Sequence, residues 1–251
     1  MSFSSAEPDN KVIDVDAPKR HDVHRDPRNR VIIISSDNVE FRASHFHLCR
    51  VSSFFEGLLT TAGPASVTSP TGAAGDDSVD DKDIEPIHLD YPAPVIALFL
   101  DAAGSSWPSF PAIDMTTAKD LLELTEFTMC DKLKHEARYS LIRAGMDLPL
   151  ELLVIAADRN DIALAQSALQ KLDSNTIETK LYRSTGNTPR AFKRYLERLS
   201  PSFRLELYSQ LMLGRDITSS PSKSTQTPGI YLRSDWSSIA DRFNPARTDT
   251  T

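Results

Sequence analysis

Four consecutive aliphatic residues, Val31-Ile32-Ile33-Ile34, constrain this chain more than any other feature. Three of them are isoleucine, and such a short β-branched run reads as a buried strand. Ser35-Ser36-Asp37-Asn38 follows, and the Asp-Asn pair tolerates the positive φ of a tight turn. Val39-Glu40-Phe41-Arg42 then alternates apolar and polar. The spacing predicts a β-hairpin. A chain that opens its ordered part with a hairpin must cover that hairpin, and the rest of the sequence is mostly helical in pattern.

Ser44 can start a short helix carrying Phe46 and Leu48. Ser52 or Ser53 can cap another, with Phe54, Phe55, Leu58 and Leu59 on it. A third strand is expected over 84–91. Pro94 suits the first turn of the helix that carries Val95, Ile96, Leu98, Phe99 and Leu100. After the loop GSSWPSFPAID, Thr117 and Asp120 fit a helix-start pattern. A further helix begins near Asp131, and Gly145 is expected to end it in the left-handed conformation. Pro149 and Asp161 open the two helices of an αα-hairpin. Thr188-Pro189 and Ser200-Pro201 open two more.

The ends of the chain read differently. Residues 1–28 are rich in Pro, Asp, Ser and His, and residues 215–251 in Ser, Thr and Pro. Neither shows a sustained apolar period, so both are expected to be flexible. Between them, 29–145 is expected to form the principal domain, with an acidic loop at 60–83, and 146–214 a helical extension.

The formal net charge of −7 argues against non-specific nucleic-acid binding, which needs a basic field. Two cysteines, Cys49 and Cys130, cannot build a disulfide framework. The N-terminus lacks the charged-then-apolar pattern of a signal peptide, and no apolar run approaches the roughly 18 residues of a membrane span. The chain is expected to be intracellular, without membrane or nucleic-acid partners.

Three stretches offer chemistry. His45, His47 and Cys49 are metal-ligand types at alternate positions and would share a face on a strand. No fourth ligand is evident, so a packed Cys49 beside partly exposed histidines is the preferred reading. Asp76, Asp77, Asp80, Asp81 and Asp83 lack the register of a calcium loop and read as a solvated acidic segment. Gly72-Ala-Ala-Gly75 lacks the Gly-Lys-Ser/Thr ending of a phosphate loop. No motif supports catalysis, and neither a cofactor nor a metal is expected.

The order hairpin, two short helices, strand, helix, helix pair resembles the BTB/POZ family, in particular its fungal members. VIIISSDNVEFRASHFHLCRVSSFFEGLL carries the strongest likeness. Members read similarly: an apolar strand, Ser-Ser-Asp-Gly-Val, Phe-Arg, a leucine and Ser-Pro-Phe-Phe. Those positions are Ser35 to Val39, Phe41, Arg42, Leu48 and Ser52 to Phe55 here, with Ser53 in place of the proline. EPIHLDYPAPVIALFLDAA and AKDLLELTEFTMCDKLKHEARYSLI resemble the family's third strand with its helix and its last helix pair. The helices from Pro149 to Leu172 resemble the annex that often follows a fungal BTB domain.

The resemblance implies an α+β fold, a small mixed sheet of three strands wrapped by helices and extended by a helical annex. It implies a core signature of Phe41, Leu48, Phe54 and Phe55. It also implies a non-enzymatic protein–protein interaction module, with other proteins as partners, a cullin-type ubiquitin-ligase scaffold among them. Animal members that dimerise tightly carry an amphipathic helix before the first strand. RHDVHRDPRNR shows no such face, so a monomer or weak homodimer is expected. Trp107 and Phe110 lie in the loop that the resemblance puts near the cullin-docking surface and are candidate partner-binding residues. The alternative, that both fold back onto their own helices, stays open. A helical scaffold unrelated to BTB and an unrecognised hydrolase are the rival readings.

Overall fold

A computed structural model describes residues 17–61, 85–172, 188–212 and 235–245. Among the described residues it is an α+β protein with four short strands and ten helices. The strands are β1 (Lys19–Arg20), β2 (Val31–Ile34), β3 (Val39–Ala43) and β4 (Ile87–His88). The helices are α1 (His45–Val51), α2 (Ser53–Thr61), α3 (Ala93–Gly104), α4 (Met115–Phe127) and α5 (Asp131–Ala144). They continue as α6 (Pro149–Asp158), α7 (Ile162–Gln170), α8 (Thr188–Glu197), α9 (Pro201–Met212) and α10 (Trp236–Arg242). Packing divides the chain into two compact units. One holds residues up to 109 together with 120–134, and the other holds 110–119 and residues from 135 onward.

The first unit is built on the hairpin. β2 and β3 pair antiparallel, with Ile33 opposite Phe41 and Val31 opposite Ala43. All four are buried, because they occupy the alternate positions that face the helices. Asn38 takes φ 58° at the turn, a conformation Asn accepts at little cost. The turn also reaches forward. Asp37 Oδ1 accepts from Ala93 N at 2.8 Å, capping α3 in place of Pro92, whose side chain cannot. Hydrogen bonds from Ser35 and from the Ala93 N–H hold the Asp37 carboxyl below its ordinary range.

The sheet has four strands in the order β1-β3-β2-β4 rather than three, and β1 and β4 run parallel to their neighbours. β1 lies inside the stretch expected to be flexible. It has no apolar pattern because backbone bonds hold it, Lys19 N to Asn38 O at 3.0 Å and His21 N to Glu40 O at 2.9 Å. The third expected strand contracts to Ile87–His88, which pair with Ile33 and Ile34 of β2.

Helix starts follow local chemistry. Ser52 Oγ accepts from Phe55 N and so caps α2. Asp114, not Thr117, caps α4: its Oδ1 accepts from the N–H groups of Thr116 and Thr117, and Oδ2 from the Thr117 hydroxyl. The left-handed residue between α4 and α5 is Met129, at φ 50°. Gly145 is not left-handed. It is small for a different reason: a Cβ there would come within 2.8 Å of the Leu152 side chain.

In the second unit, Asp161 caps α7 by accepting from Leu164 N at 2.9 Å and also receives Arg138. The buried Tyr195 hydroxyl of α8 donates to Leu150 O at 2.8 Å, and burial pushes its pKa up. The segment 215–251, expected to be a flexible tail, contains α10. Trp236, Ile239, Ala240 and Phe243 recur at helical spacing and are buried, and the Phe243 ring meets Phe203 edge-on at 5.4 Å. The Asp76–Asp83 cluster, Gly72–Gly75 and Ile84 lie outside the described residues.

The segment joining β1 to β2 lies over the hairpin. The His21 ring stacks on Phe41 at 4.6 Å, and His24 stacks on His21 at 5.3 Å. His21 Nδ1 accepts from Val23 N and His24 N, and His24 Nε2 lies 3.1 Å from Asp101 Oδ1. Burial lowers the His24 pKa below its ordinary 6.5, with Asp101 opposing that shift. A lowered folded-state value means that the fold favours neutral His24. Its contribution is intact above 6.5 and is lost as pH falls through the lower, folded-state value. Acidification from pH 7.5 through this window therefore loosens residues 19–24. Their amide exchange, corrected for its intrinsic pH dependence, should accelerate, and His24→Gln should flatten that response.

Candidate protein-interaction surface

The surface begins with Arg50, in the last turn of α1. Its Nη2 donates to Ala103 O at 2.8 Å and to Ser105 O at 3.1 Å. Carbonyls at a helix C-terminus have no partner within the helix, and a cation there also opposes the negative end of the helix dipole. One side chain thus finishes α3 and fixes the start of the next loop. The guanidinium carbon sits 5.9 Å from the centroid of the Phe46 ring, one helical turn earlier. Ser105 Oγ then accepts from Trp107 N at 3.1 Å, a local turn that orients the next residue.

Trp107 is 89% exposed and Phe46 is 66% exposed. Large aromatics are seldom left in water to this extent. Here the exposed indole stands on backbone held by hydrogen bonds at residues 103, 105 and 107. A solvated tryptophan on a loop tied down by a guanidinium that also meets an exposed aromatic has the composition of a binding anchor. A further apolar group in the same unit surrounds Phe54. Its ring lies 5.2 Å from Phe55 and 5.2 Å from Phe127, and Phe127, Met129 and Leu58 are exposed.

Phe110 differs from Trp107. It is buried at 6% exposure in the second unit, and Arg143 donates to its carbonyl at 2.9 Å and to that of Pro111. The two aromatics therefore do not make a single exposed pair. Of the signature residues, Phe41, Leu48 and Phe55 are fully buried, whereas Phe54 is half-buried. Ser53 and Phe54 stand on the outer side of α2, which leaves Phe55 to face inward.

His45 and Cys49 meet one helical turn apart, with Cys49 Sγ 3.8 Å from His45 Nδ1. His47 is turned away and lines a cavity of about 190 Å³ with His24, Arg42, Asp101 and Gly104. Among the described residues, no group of three His, Cys, Asp or Glu side chains is arranged to hold a metal ion. Burial, and next the Glu56 charge, push the Cys49 thiol up. Burial takes the Cys130 thiol to about 11. Both are poor nucleophiles at neutral pH. None of the described helices is long and apolar enough to cross a membrane.

No protein-family model matches the chain, and a search of curated proteins finds no relative of it.

Arg50 was not singled out by sequence. The one available signal was a basic residue in the last turn of a helix, four positions after an aromatic. Replacing it with methionine keeps the aliphatic stem and removes the donors. Arg50→Met should cost about 1–2 kcal/mol in denaturant unfolding, and amide exchange should quicken at residues 104–107.

Proposed function

We propose that this chain is a protein–protein interaction module of BTB/POZ type, without catalytic activity of its own, and that Trp107 is its principal anchor. The observation carrying the proposal is the 89% exposure of an indole on an anchored loop. The element order from β2 to α5 supports the family reading. A hairpin is followed by two short helices, a strand parallel to β2, a helix and then α4 and α5, which is the order that the resemblance implies. Burial of Phe41 on that hairpin and of Leu48 and Phe55 on the two helices after it supports it as well.

The mechanism is recognition. An exposed indole loses its hydration against a partner pocket, and the polar groups around it form the rim. Because the backbone beneath Trp107 is already fixed, little ordering entropy is lost on binding. A cullin-type ubiquitin-ligase scaffold is the first partner class to test, and the chain itself is a monomer or weak homodimer in this reading. Trp107→Ala separates anchoring from packing. It should leave the denaturant midpoint within about 0.5 kcal/mol of wild type and weaken partner binding by roughly 2 kcal/mol or more, measured by titration calorimetry on the same preparation. A large loss of stability with unchanged affinity would place Trp107 in the fold instead.

A further inference from the structure

The last described helix of the second unit is held in the manner of a docked peptide. α10 has seven residues, Trp236–Arg242, and an isolated helix so short does not persist in water. It forms because it is seated. Trp236, Ile239, Ala240 and Phe243 stand at positions i, i+3, i+4 and i+7, and none is more than 2% exposed. That is the anchor pattern of an amphipathic helix laid into a groove. Ser237, Asp241 and Arg242, on the other side, are exposed.

Helices α7 and α9 supply the receiving surface. Phe203 of α9 meets the Phe243 ring edge-on. Two polar groups then read backbone at the end of α10. Gln166 Nε2 of α7 donates to Phe243 O at 3.1 Å, and Glu206 Oε1 of α9 accepts from Asn244 N at 3.2 Å. These bonds fix the register, because they require the helix to stop at its last anchor. Asn244-Pro245 meets that requirement, since a residue before proline is turned away from helical geometry. Residues 213–234, rich in Ser, Thr and Pro, join α9 to α10. A segment tethered to its own groove meets it at high effective concentration and needs little intrinsic affinity to stay seated.

We propose that the α7–α9 groove is a docking site for an amphipathic helix of another protein, and that α10 fills it in cis as a built-in competitor. The contacts of α10 define the partner's chemistry. Its apolar stripe has an aromatic residue at each end and small or branched aliphatic residues between them. Its helix ends at the second aromatic, where Gln166 and Glu206 receive the backbone. The two aromatic anchors carry most of the binding. A partner helix engages only by outcompeting a tethered rival, so the groove answers to helices that are abundant or bind more tightly than α10 does. None of the residues of the Trp107 surface takes part.

The probe is a fluorescein-labelled synthetic peptide of residues 234–246, titrated against the full chain and followed by anisotropy. Wild type is compared with a variant carrying Trp236→Ala and Phe243→Ala together, which strips the anchors from α10 and leaves the groove intact. The variant should bind the peptide saturably and at least roughly tenfold more tightly than wild type, whose own α10 competes. A peptide with the same two alanines should not bind. The proposal is overturned if the variant melts cooperatively yet takes no peptide, or if both chains bind it equally. A wild-type dimer that the variant loses would make a second copy of the chain the occupant, and would overturn the assignment to another protein. Should the variant fail to fold, amide exchange of wild type decides. A displaceable α10 exchanges by local opening, well before α7 does. Protection of α10 equal to that of α7 would make it an ordinary part of the core and overturn the proposal.

Discussion

A buried polar knot between two helix junctions holds the first unit together. Ser52, at the break between α1 and α2, donates its hydroxyl to Thr128 O at 2.5 Å and accepts from Phe55 N at 3.1 Å. Next to it, the Cys130 thiol donates to Val51 O at 2.9 Å. Ser52, Thr128 and Cys130 are all at most 1% exposed. Two helix ends meet here and bring orphaned backbone groups with them. Each must find a partner, because a buried group left unmade costs more than a made bond returns. The knot closes the break between α1 and α2 and the break between α4 and α5 with two side chains, Ser52 and Cys130, and two carbonyls, those of Val51 and Thr128. Replacing Ser52 with a residue that cannot both donate and accept would unsettle both.

From that knot the candidate surface follows by short steps. Fixing the end of α1 fixes Arg50, two residues earlier, and Arg50 fixes the carbonyls at the end of α3. The start of α3 is fixed independently by Asp37 from the hairpin turn. The helix is therefore held at both ends by groups distant in sequence, and Trp107 stands just beyond it. The chain carries an excess of acidic residues, yet at this place its fixed charge is a guanidinium. Arg suits the task because its planar fork can serve two carbonyls and still present a face to Phe46.

Elements whose causes are local were legible. The hairpin could be read from its β-branched run and the Asp37-Asn38 turn, and α6 through α9 from Pro149, Asp161 and the two Ser/Thr-Pro starts. Elements held by distant partners were not. β1 is two residues paired through backbone alone, so no side-chain pattern announces it. α10 carries the apolar spacing Trp236, Ile239, Ala240, Phe243 behind an Asp235 cap, but its Ser- and Pro-rich surroundings masked seven helical residues. Gly145 was given a conformational reason when the operative one is the approach of Leu152. Phe54 and Phe55 are adjacent, and only the direction of α2 decides which is inside. The candidate surface was half legible. Trp107 stood out as a tryptophan in a proline-bounded loop, whereas its support crosses from residue 50 to residues 103 and 105, a separation that no local pattern encodes.

The central claim is that a partner protein docks on the surface made by Phe46, Arg50 and Trp107. Hydrogen–deuterium exchange of the full chain, free and in complex with a partner purified from its native cells, tests it directly. New protection concentrated at residues 46–50 and 103–107, with β2 and β3 unchanged, is the expected footprint. A complex whose protection falls on other segments and leaves 103–107 exchanging as in the free chain would contradict the account.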